Sequence, residues 1–402
     1  MSNILAQFVE LLTTFLTVAG MGYFLAALVA ACVFLASRRA TQASFSPGVS
    51  ILKSLKGIDP GMMEAFRSHC RQNYSGDVEL LFGVSSLNDP AAAAVEQLKK
   101  EFPALTIQLV RCPTSLGTNG KVSTLVQLET QARYNFILIN DSDISVSPSY
   151  LERVMACFPS PDNFSSIAPD QVQAQQEVGM VTALYRGRAH GTLASRLEAL
   201  GIATDFQAGV LLSRMIEGGL HFGLGSTLAV SRKALEKVGG LSPLVDHLAD
   251  DYELGARLHR IGYRVALSPE VVETGVPAYT WREFFDHQLR WARTVRDARP
   301  WGYAGLLFTH GLALALLNVL ASGLSPLSLW LLGMTFCLRL ALAMTVGAQV
   351  LGDRQVLPNL WLLPLRDLVA MGVWVAGFAG NTIVWRGERF LLKGGRLEPI
   401  AD

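Results

Sequence analysis

Residues 136–143 read Phe136-Ile137-Leu138-Ile139-Asn140-Asp141-Ser142-Asp143, a short apolar run that ends in two carboxylates two residues apart. The run predicts a buried β-strand over Phe136–Asn140, with Asp141 and Asp143 directly after it. In parallel α/β sheets, ligands bind at the carboxyl ends of the strands. One or two carboxylates at such a position commonly hold a divalent cation together with a diphosphate. Turn chemistry also accounts for many Asp-X-Asp sequences, so the motif alone leaves both interpretations open.

Short apolar runs alternate with amphipathic stretches from Gly48 to about Val146. The predicted order is strand Val49–Leu52, helix Met62–Asn73, strand Val78–Val84, helix Ala91–Glu101, strand Leu105–Val110, helix Lys121–Ala132 and strand Phe136–Asn140. This alternation predicts a mainly parallel sheet covered by helices on both faces. Asp89 follows one predicted strand and Asp141 another, so both are expected to line one crevice.

Two polar residues next to predicted helices have more than one interpretation. Asp89, in Asn88-Asp89-Pro90, is expected either to hydrogen-bond a bound nucleotide or to cap the helix that follows it. Lys121 follows a loop and begins a helix, where it is either a phosphate contact or an exposed lysine.

A second carboxylate pair, in Leu248-Ala249-Asp250-Asp251-Tyr252, begins a predicted helix over Asp250–Ile261 that Gly262 ends. Side chains of adjacent helical residues point about 100° apart, so only one of the two faces a crevice squarely. As a general base, Asp251 would take a proton from an attacking hydroxyl. The alternative is structural, because carboxylates stabilise helix N-termini.

Residues 281–296 mix aromatic with basic side chains, a composition typical of a helix in the membrane interface. Within them, Gln288-Leu289-Arg290-Trp291 offers an arginine that suits a leaving diphosphate and a tryptophan that suits a sugar or acceptor. The alternative is an ordinary interfacial helix whose arginines extend toward water.

The composition indicates a membrane protein. The 402 residues include 34 Lys and Arg against 33 Asp and Glu, which gives no case for nucleic-acid binding. A charged fraction of 17% and a mean hydropathy of +0.32 indicate contact with a bilayer. The five cysteines show no Cys-X-X-Cys spacing and are expected to be reduced, in a cytosolic context.

Four apolar stretches are candidates for membrane segments. The first, about Phe15–Ala36, ends at Ser37-Arg38-Arg39, which favours a retained anchor whose C-terminal side is cytoplasmic. The others are about Tyr303–Gly323, Leu327–Leu351 and Leu360–Trp385. Four crossings would put the basic tail Arg386-Gly387-Glu388-Arg389 outside, against the positive-inside bias, so the last stretch is also a candidate re-entrant segment.

Three charged residues lie inside these apolar stretches: Arg339, Arg366 and Asp367. Charge at membrane depth is costly and often functional. Mutual pairing or extension toward the interface is the alternative, and the sequence leaves both open.

From Ile51 to about Arg296 the chain resembles the ceramide glucosyltransferase family, which comprises inverting transferases of GT-A fold. The shared motifs are Leu52 to Pro60, Asp89-Pro90, Asn119-Gly120-Lys121-Val122, Asp141-Ser142, Gly223 to Ser226, Leu248 to Tyr252 and the Arg-Trp pair. Bacterial members with Ala-Asp-Asp-Tyr-Glu-Leu-Gly and His-Gln-Leu-Arg-Trp-Ala-Arg-Thr look most similar, and many are associated with hopanoid biosynthesis. The family usually has Gln or Arg three residues before the Arg-Trp pair. Here that position is His287, which leaves its role open.

The resemblance implies a UDP-sugar donor, a lipid alcohol acceptor and a divalent cation, Mg²⁺ or Mn²⁺. It implies Asp251 as the base, with Asp250 beside it, and Asp141 with Asp143 at the metal diphosphate. The expected donor-binding residues are Asp89, Lys121, Asp141, Gln288, Arg290 and Trp291.

We therefore expect an α/β GT-A domain between membrane segments: an anchor in 1–40, the cytosolic domain in 48–280, an interfacial helix in 281–300, membrane segments in 301–386 and a tail in 387–402. The expected reaction moves one sugar to a membrane lipid at the bacterial inner membrane. UDP-N-acetylglucosamine with a hopanoid is the leading pair, and UDP-glucose with ceramide or diacylglycerol is the second. A processive polysaccharide synthase and a non-catalytic membrane scaffold are the further alternatives.

Overall fold

The computed structural model describes residues 2–38, 45–159, 177–385 and 388–400. Arg39, after the first apolar stretch, and Arg386 and Gly387, in the predicted tail, lie outside these ranges.

In the described part of the chain, seven strands form one mixed sheet. They are β1 Val49–Leu55, β2 Val78–Val84, β3 Thr106–Arg111, β4 Phe136–Ile139, β5 Val178–Ala189, β6 Leu228–Ser231 and β7 Arg264–Val276. Their spatial order is β3-β2-β1-β4-β6-β5-β7. The first four are mutually parallel, β6 is antiparallel to β4 and β5, and β5 is parallel to β7. The predicted parallel sheet is thus confirmed for the first half, and the second half extends it past an antiparallel strand.

The helices begin where the sequence predicts but several end earlier. Helix α1, Ser2–Ser37, comes first in the chain. The helices around the seven-stranded sheet are α2 Met62–Cys70, α3 Pro90–Glu101, α4 Gly120–Glu129, α5 Tyr150–Met155, α6 Leu193–Gly201, α7 Gln207–Ile216, α8 Arg232–Lys237, α9 Asp250–Arg260 and α10 Trp281–Ala298. A π-helical turn, Ile202–Phe206, joins α6 to α7. The predicted ends at Asn73 and Ala132 lie three residues past the observed ends at Cys70 and Glu129.

Side-chain caps fix the starts of the helices nearest the sheet edge. The Asp89 carboxylate accepts a hydrogen bond from the Ala91 N–H, and the Asn119 side chain accepts one from the Val122 N–H. These caps satisfy backbone donors that have no partner inside the helix. They place the first turns of α3 and α4 at the carboxyl ends of the parallel strands.

After α10 the chain is mostly apolar helix. The elements are α11 Pro300–Gly305, α12 Gly311–Ala321, α13 Pro326–Leu342, α14 Val356–Asn359 and α15 Leu363–Gly377, with a π-helical continuation of α13 over Ala343–Val350. Among the described residues, four segments are long and apolar enough to cross a membrane: Ile4–Ser37, Pro300–Ala321, Pro326–Val350 and Val356–Gly377.

Helices α1 and α12 pack closely through small and hydroxyl residues. A β-carbon on Gly20 would lie 2.8 Å from the Gly311 Cα, so the two backbones touch. Nearer the other end, the Thr13 and Thr14 hydroxyls donate to the Asn318 side-chain oxygen at 3.1 and 2.9 Å. Small residues and interhelical hydrogen bonds are the usual means of helix association in membranes.

A buried ion-pair network joins the apolar helices to the catalytic region. The Arg339 side chain, 1% exposed, donates to Asp367 at 2.9–3.1 Å and also to Asp205 and Thr204 in the π-helical turn after α6. Arg366 adds a contact to Asp205 at 3.4 Å. Of the two alternatives for these charges, the structure shows mutual pairing. Breaking such a pair commonly costs about 3–5 kcal/mol, because the remaining charge stays buried.

The last apolar segment begins and ends on the side of the catalytic sheet. At its start, the Gln355 side chain donates to the Gly187 carbonyl and accepts from the Ala189 N–H, both in β5. Just past its end, the Arg293 side chain in α10 donates to the carbonyls of Ala379 and Thr382. Both ends of this segment therefore contact the domain that contains the seven-stranded sheet, as expected for a re-entrant segment.

The residues after α15 fold as a small antiparallel sheet rather than as an extended tail. Its strands are β8 Thr382–Trp385, β9 Glu388–Lys393 and β10 Arg396–Pro399, in the order β10-β9-β8. The predicted last apolar stretch reached Trp385, but the helix ends at Gly377 and residues 382–385 are strand. The Leu248 N–H donates to the Gly395 carbonyl at 3.1 Å, so this C-terminal sheet lies beside α9.

Labelling from one side of a membrane should show residue 398 on the same side as the domain that contains the seven-stranded sheet. In a background without the five native cysteines, Glu398→Cys and Lys100→Cys should react with an impermeant maleimide from the same face of sealed vesicles. Leu324→Cys, between α12 and α13, should react only from the opposite face. Reaction of the residue-398 variant together with the residue-324 variant would contradict this topology.

Candidate active site

Three carboxylates and a lysine meet at the carboxyl edge of the sheet. The Lys121 ammonium, in the first turn of α4, lies 2.8 Å from Asp141 Oδ1 and 3.4 Å from Asp250 Oδ2. Its side chain is only 16% exposed, so it is not the freely solvated lysine of the alternative interpretation. Lys121 thereby joins the end of β4 to the start of α9, and the neighbouring carboxylates raise the pKa of the lysine against the effect of its burial.

A second lysine lies beneath this group. Lys53 in β1 is 1% exposed, and its ammonium donates to the Asp141 carbonyl at 2.9 Å. Burial lowers the pKa of Lys53 to about 7, although the charges of Asp143 and Asp141 oppose that shift. Lys53 was not predicted from the sequence. A single lysine inside the strand Val49–Leu55 was the available signal, but that pattern alone does not show burial, since a lysine is rarely fully buried unless it has a partner.

Asp143 is held by the end of β7. Its Oδ2 accepts hydrogen bonds from the Thr274 hydroxyl and, at 2.9 Å, from the Gly275 N–H. Burial is the main cause that raises the pKa of Asp143, and the charge of Asp141 adds to it. The Thr274 and Gly275 contacts join the segment after β4, the central strand of the sheet, to the edge strand β7, and no sequence pattern indicated them.

Asp251 faces Asp141 across a glycine. A β-carbon on Gly225 would lie 3.0 Å from Asp251 Oδ2 and 3.7 Å from Asp141 Oδ2, so both carboxylates border the same small gap. The other oxygen, Asp251 Oδ1, accepts from the Tyr252 N–H at 2.8 Å. Burial and then the charge of Asp250 raise the pKa of Asp251 to about 6, while Lys121 opposes the shift.

A buried polar network supports the Asp141 loop from below. The Asn140 side chain donates to the Ser226 carbonyl at 2.6 Å and to the Tyr150 hydroxyl at 3.0 Å, and its oxygen lies 3.1 Å from His69 Nε2. Burial lowers the pKa of His69 to about 3, so this imidazole is neutral near pH 7. The network fixes the end of β4 against the segment that contains Gly225.

Asp89 performs the capping function and also makes a contact that was not predicted. Besides the Ala91 N–H, its carboxylate accepts the Gly57 N–H at 3.0 Å. It therefore joins the loops that follow β1 and β2. A contact between Asp89 and a nucleotide stays a prediction.

The predicted residues of α10 divide into two groups. Gln288 is 7% exposed and donates to Glu198 in α6 at 3.2 Å, and His287 Nδ1 lies 3.0 Å from the same carboxylate. The structure thus places Gln288 in the α6–α10 contact and not beside the carboxylates of the crevice. Trp291 packs near Phe206, with ring centroids 6.1 Å apart.

Arg290 of α10 is half-buried. Burial and the charge of Glu198 raise the pKa of Tyr279, and the positive charge of Arg290 opposes that shift.

A pocket of 280 Å³ opens beside Lys121. One wall is formed by the loops after β1, β2 and β3 and by the start of α4, and the other by the C-terminal sheet. Residues on the two walls include Lys56, Ser85, Thr118, Lys121, Trp385 and Phe390.

The carboxylate ligands at this site suit a metal cation only if a substrate supplies further ligands. Within the described residues, no three His, Cys, Asp or Glu side chains are grouped as a metal centre. Asp141 and Asp143 offer two carboxylates, and Asp141 is 44% exposed toward the crevice. Mg²⁺ is typically bound in this way, through one or two carboxylates plus substrate phosphates.

Comparison with known proteins identifies the family. The profile of Glycosyl transferase family 21 matches residues 12–397. The chain belongs to this family. It is accordingly a glycosyltransferase, as the sequence resemblance predicted.

Named relatives cover most of the chain. Ceramide glucosyltransferase 3 of Caenorhabditis elegans is 25% identical over 372 residues, which are 88% of this chain and 74% of the relative. The beta-monoglucosyldiacylglycerol synthase of Synechocystis sp. is 26% identical over 249 residues, 61% of this chain and 47% of the relative.

A solved structure shares the fold. The mannosyltransferase PcManGT from Pyrobaculum calidifontis, in complex with GDP-Man and Mn²⁺, superposes with a TM-score of 0.54 at 18% identity, covering 92% of this chain and 99% of that chain. The likeness confirms the predicted GT-A fold.

Filling the gap between the two carboxylates should impair the enzyme without unfolding it. Gly225→Ala would put a methyl group against Asp251 Oδ2, and small displacements of reacting groups can lower turnover about 10²-fold. Gly219→Ala is the matched control, because no atom lies within 4 Å of its added methyl group. Both variants should keep the wild-type unfolding midpoint, and nucleotide release from the sugar donor should fall only in Gly225→Ala. Equal turnover in the two variants would show that the reaction does not use this gap.

Proposed function

We propose that this family 21 enzyme transfers a single sugar from a UDP-sugar to a hydroxyl of a membrane lipid, with inversion at the anomeric carbon. The observation that supports it best is the position of Asp251, a half-buried carboxylate with a pKa raised to about 6, across Gly225 from Asp141. A carboxylate with that pKa is ionised near pH 7 yet basic enough to accept a proton from an alcohol during attack.

In this proposal Asp251 is the base, and Asp250 tunes it. The acceptor hydroxyl loses its proton to Asp251 while its oxygen bonds to the anomeric carbon and the bond from that carbon to the UDP oxygen breaks. One displacement inverts the centre, and no covalent enzyme intermediate forms. Lys121 links Asp250 to Asp141 and so keeps the base side of the crevice next to the diphosphate side.

The diphosphate would lie between Lys121 and Arg290, with Asp89 and Trp291 at the periphery of the donor. Arginine and lysine are suited to a departing diphosphate because they pair with its oxygens as negative charge develops. Gln288 would contribute by holding α10 in place through Glu198.

Asp141 and Asp143 would hold a divalent cation, Mg²⁺ or Mn²⁺. When bound, such an ion would neutralise the charge of the diphosphate leaving group. The raised pKa of Asp143 and the clustering of like charge around it agree with a site that gains from an added positive charge.

An aromatic series connects the crevice to the apolar helices, which supports a lipid acceptor. Tyr185 packs near Phe206 with ring centroids 5.7 Å apart, and Phe206 is 6.1 Å from Trp291. On the outer face of α10, Trp281 and Phe285 are 48% and 42% exposed, as expected for an interfacial helix. An acceptor hydroxyl can thus approach Asp251 from the bilayer side.

We consider two donor–acceptor pairs for this reaction. The sequence motifs shared with bacterial hopanoid-associated members favour N-acetylglucosamine on a hopanoid such as bacteriohopanetetrol. The named relatives, a ceramide glucosyltransferase and a glucosyldiacylglycerol synthase, favour glucose on ceramide or diacylglycerol. We place the enzyme in the bacterial inner membrane with its catalytic domain in the cytoplasm, where UDP-sugars are made.

The pH dependence of turnover tests the base. Since Asp251 must be ionised, kcat/KM should rise with pH through about 6 and fall about tenfold per pH unit below it. Asp251→Asn should lower kcat by about 10²–10⁴ while UDP binding is nearly unchanged. Glu253 lies on the same helix but pairs with Arg257 and Arg260. The Glu253→Gln variant should therefore keep the wild-type turnover and the same loss of activity at low pH. Near-wild-type turnover by Asp251→Asn would overturn the assignment.

A donor-by-acceptor screen tests the reaction itself. Membranes containing the enzyme, with Mg²⁺ or Mn²⁺, would receive UDP-glucose or UDP-N-acetylglucosamine with hopanoid, ceramide or diacylglycerol, and mass spectrometry would follow the lipids. One N-acetylhexosamine on the hopanoid supports the first pair, and one hexose on ceramide or diacylglycerol supports the second. Membranes that contain the Asp251→Asn variant are the negative control. Multiple additions would indicate a processive synthase, and UDP binding without any transfer would indicate a scaffold.

A further inference from the structure

The C-terminal sheet, β8–β10, has a small core that it shares with the catalytic domain. Ile383, Phe390, Leu392 and Leu397 from the sheet pack with Leu248, which lies two residues before Asp250. The sheet therefore does not fold as a separate appendage, because part of its apolar contact comes from the segment that leads into α9.

Backbone hydrogen bonds fix the sheet on that segment. The Leu248 N–H donates to the Gly395 carbonyl at 3.1 Å, and the Leu397 N–H donates to the Asp246 carbonyl at 2.8 Å. From the other side, the Asp297 carboxylate of α10 accepts the Gly395 N–H. Gly395 has a φ of +77°, a conformation that favours glycine at this close approach.

The same segment contacts the start of α4 on its opposite side. The Asp246 carboxylate accepts the Thr118 N–H at 3.0 Å, and the His247 carbonyl accepts the Asn119 side chain at 2.7 Å. Asn119 is the residue that caps α4, and Lys121 follows two residues later. Residues 245–248 thus lie between the C-terminal sheet and the loop that carries the predicted phosphate lysine.

The sheet closes one side of the pocket beside Lys121. Trp385, Glu388 and Phe390 line it opposite Lys56 and Thr118. Lys121 provides positive charge on the other wall, whereas the sheet contributes the half-buried indole of Trp385, which packs against the buried Phe390 core. An ammonium group can pair with phosphates, and an aromatic ring can stack on a planar base. A site that has both offers the chemistry that a nucleotide requires.

We propose that the C-terminal sheet forms part of the donor site and that Trp385 contacts the nucleoside of the UDP-sugar. This inference rests on the proposed function, because it assumes a UDP-sugar donor. It assigns to residues that follow all the apolar helices a direct part in donor binding.

Binding measurements on the purified full-length enzyme test the proposal. Trp385→Ala should weaken UDP binding about tenfold, as expected when an aromatic contact to a base is lost, and should leave inorganic diphosphate binding unchanged. Trp385→Phe should restore most of the UDP affinity. Val384→Ala is the matched control, since Val384 is the preceding residue of β8, is 41% exposed and does not line the pocket. Unchanged UDP affinity in a folded Trp385→Ala variant would overturn the proposal.

A protection experiment gives a second test that does not depend on truncating the tryptophan. UDP should protect Glu388→Cys from a maleimide, whereas Val384→Cys should react at the same rate with and without UDP. Peptide mass spectrometry would quantify labelling at each site. If UDP fails to protect Glu388→Cys although the enzyme binds UDP and transfers sugar, the sheet is not at the donor and the proposed function stands. If the wild-type enzyme does not bind UDP, both proposals fail.

Discussion

Repulsion between carboxylates is the constraint on which this architecture depends. Asp141 follows β4 and the adjacent Asp250 and Asp251 begin α9, so two distant segments bring three carboxylates to one partly dry crevice, where each charge opposes its neighbours. Lys121 offsets this by contacting two of them, and Lys53 supports the Asp141 backbone from within the sheet. Helices α4 and α9 are thereby held at a fixed separation, and the crevice between them is where a diphosphate and a base can act together.

Periodicity and local chemistry made the first half of the fold predictable. The apolar run at 136–139 and the strand–helix alternation before it required a parallel sheet, and the caps at Asp89 and Asn119 are local signals that follow from backbone hydrogen bonding. Asp89 and Asp141 could be placed along one crevice because the carboxyl ends of parallel strands meet at one edge of the sheet. Lys121 kept two interpretations, because its partner Asp250 comes from a distant segment.

Contacts between distant segments were not predictable from the sequence. No local pattern connects Asp143 to Thr274, and a lysine in a strand does not reveal that Lys53 is buried. The charges in the apolar helices remained ambiguous for the same reason: Arg339 finds its partners in Asp367 and in a π-helical turn more than a hundred residues earlier. The strand order likewise depends on β6 lying between β4 and β5. The β-propensity of one segment does not show which strands it pairs with.

The position of the C-terminal sheet in the chain has a consequence for biosynthesis. Strands β8–β10 leave the ribosome after every apolar helix, yet they pack on residues 246–248, made about 150 residues earlier. The pocket that we propose for the nucleotide can therefore be complete only after the apolar helices have been synthesised and the last strands have docked. A chain still being translated would have its carboxylates assembled but one wall of the pocket missing, so that catalytic competence would be delayed until insertion is finished.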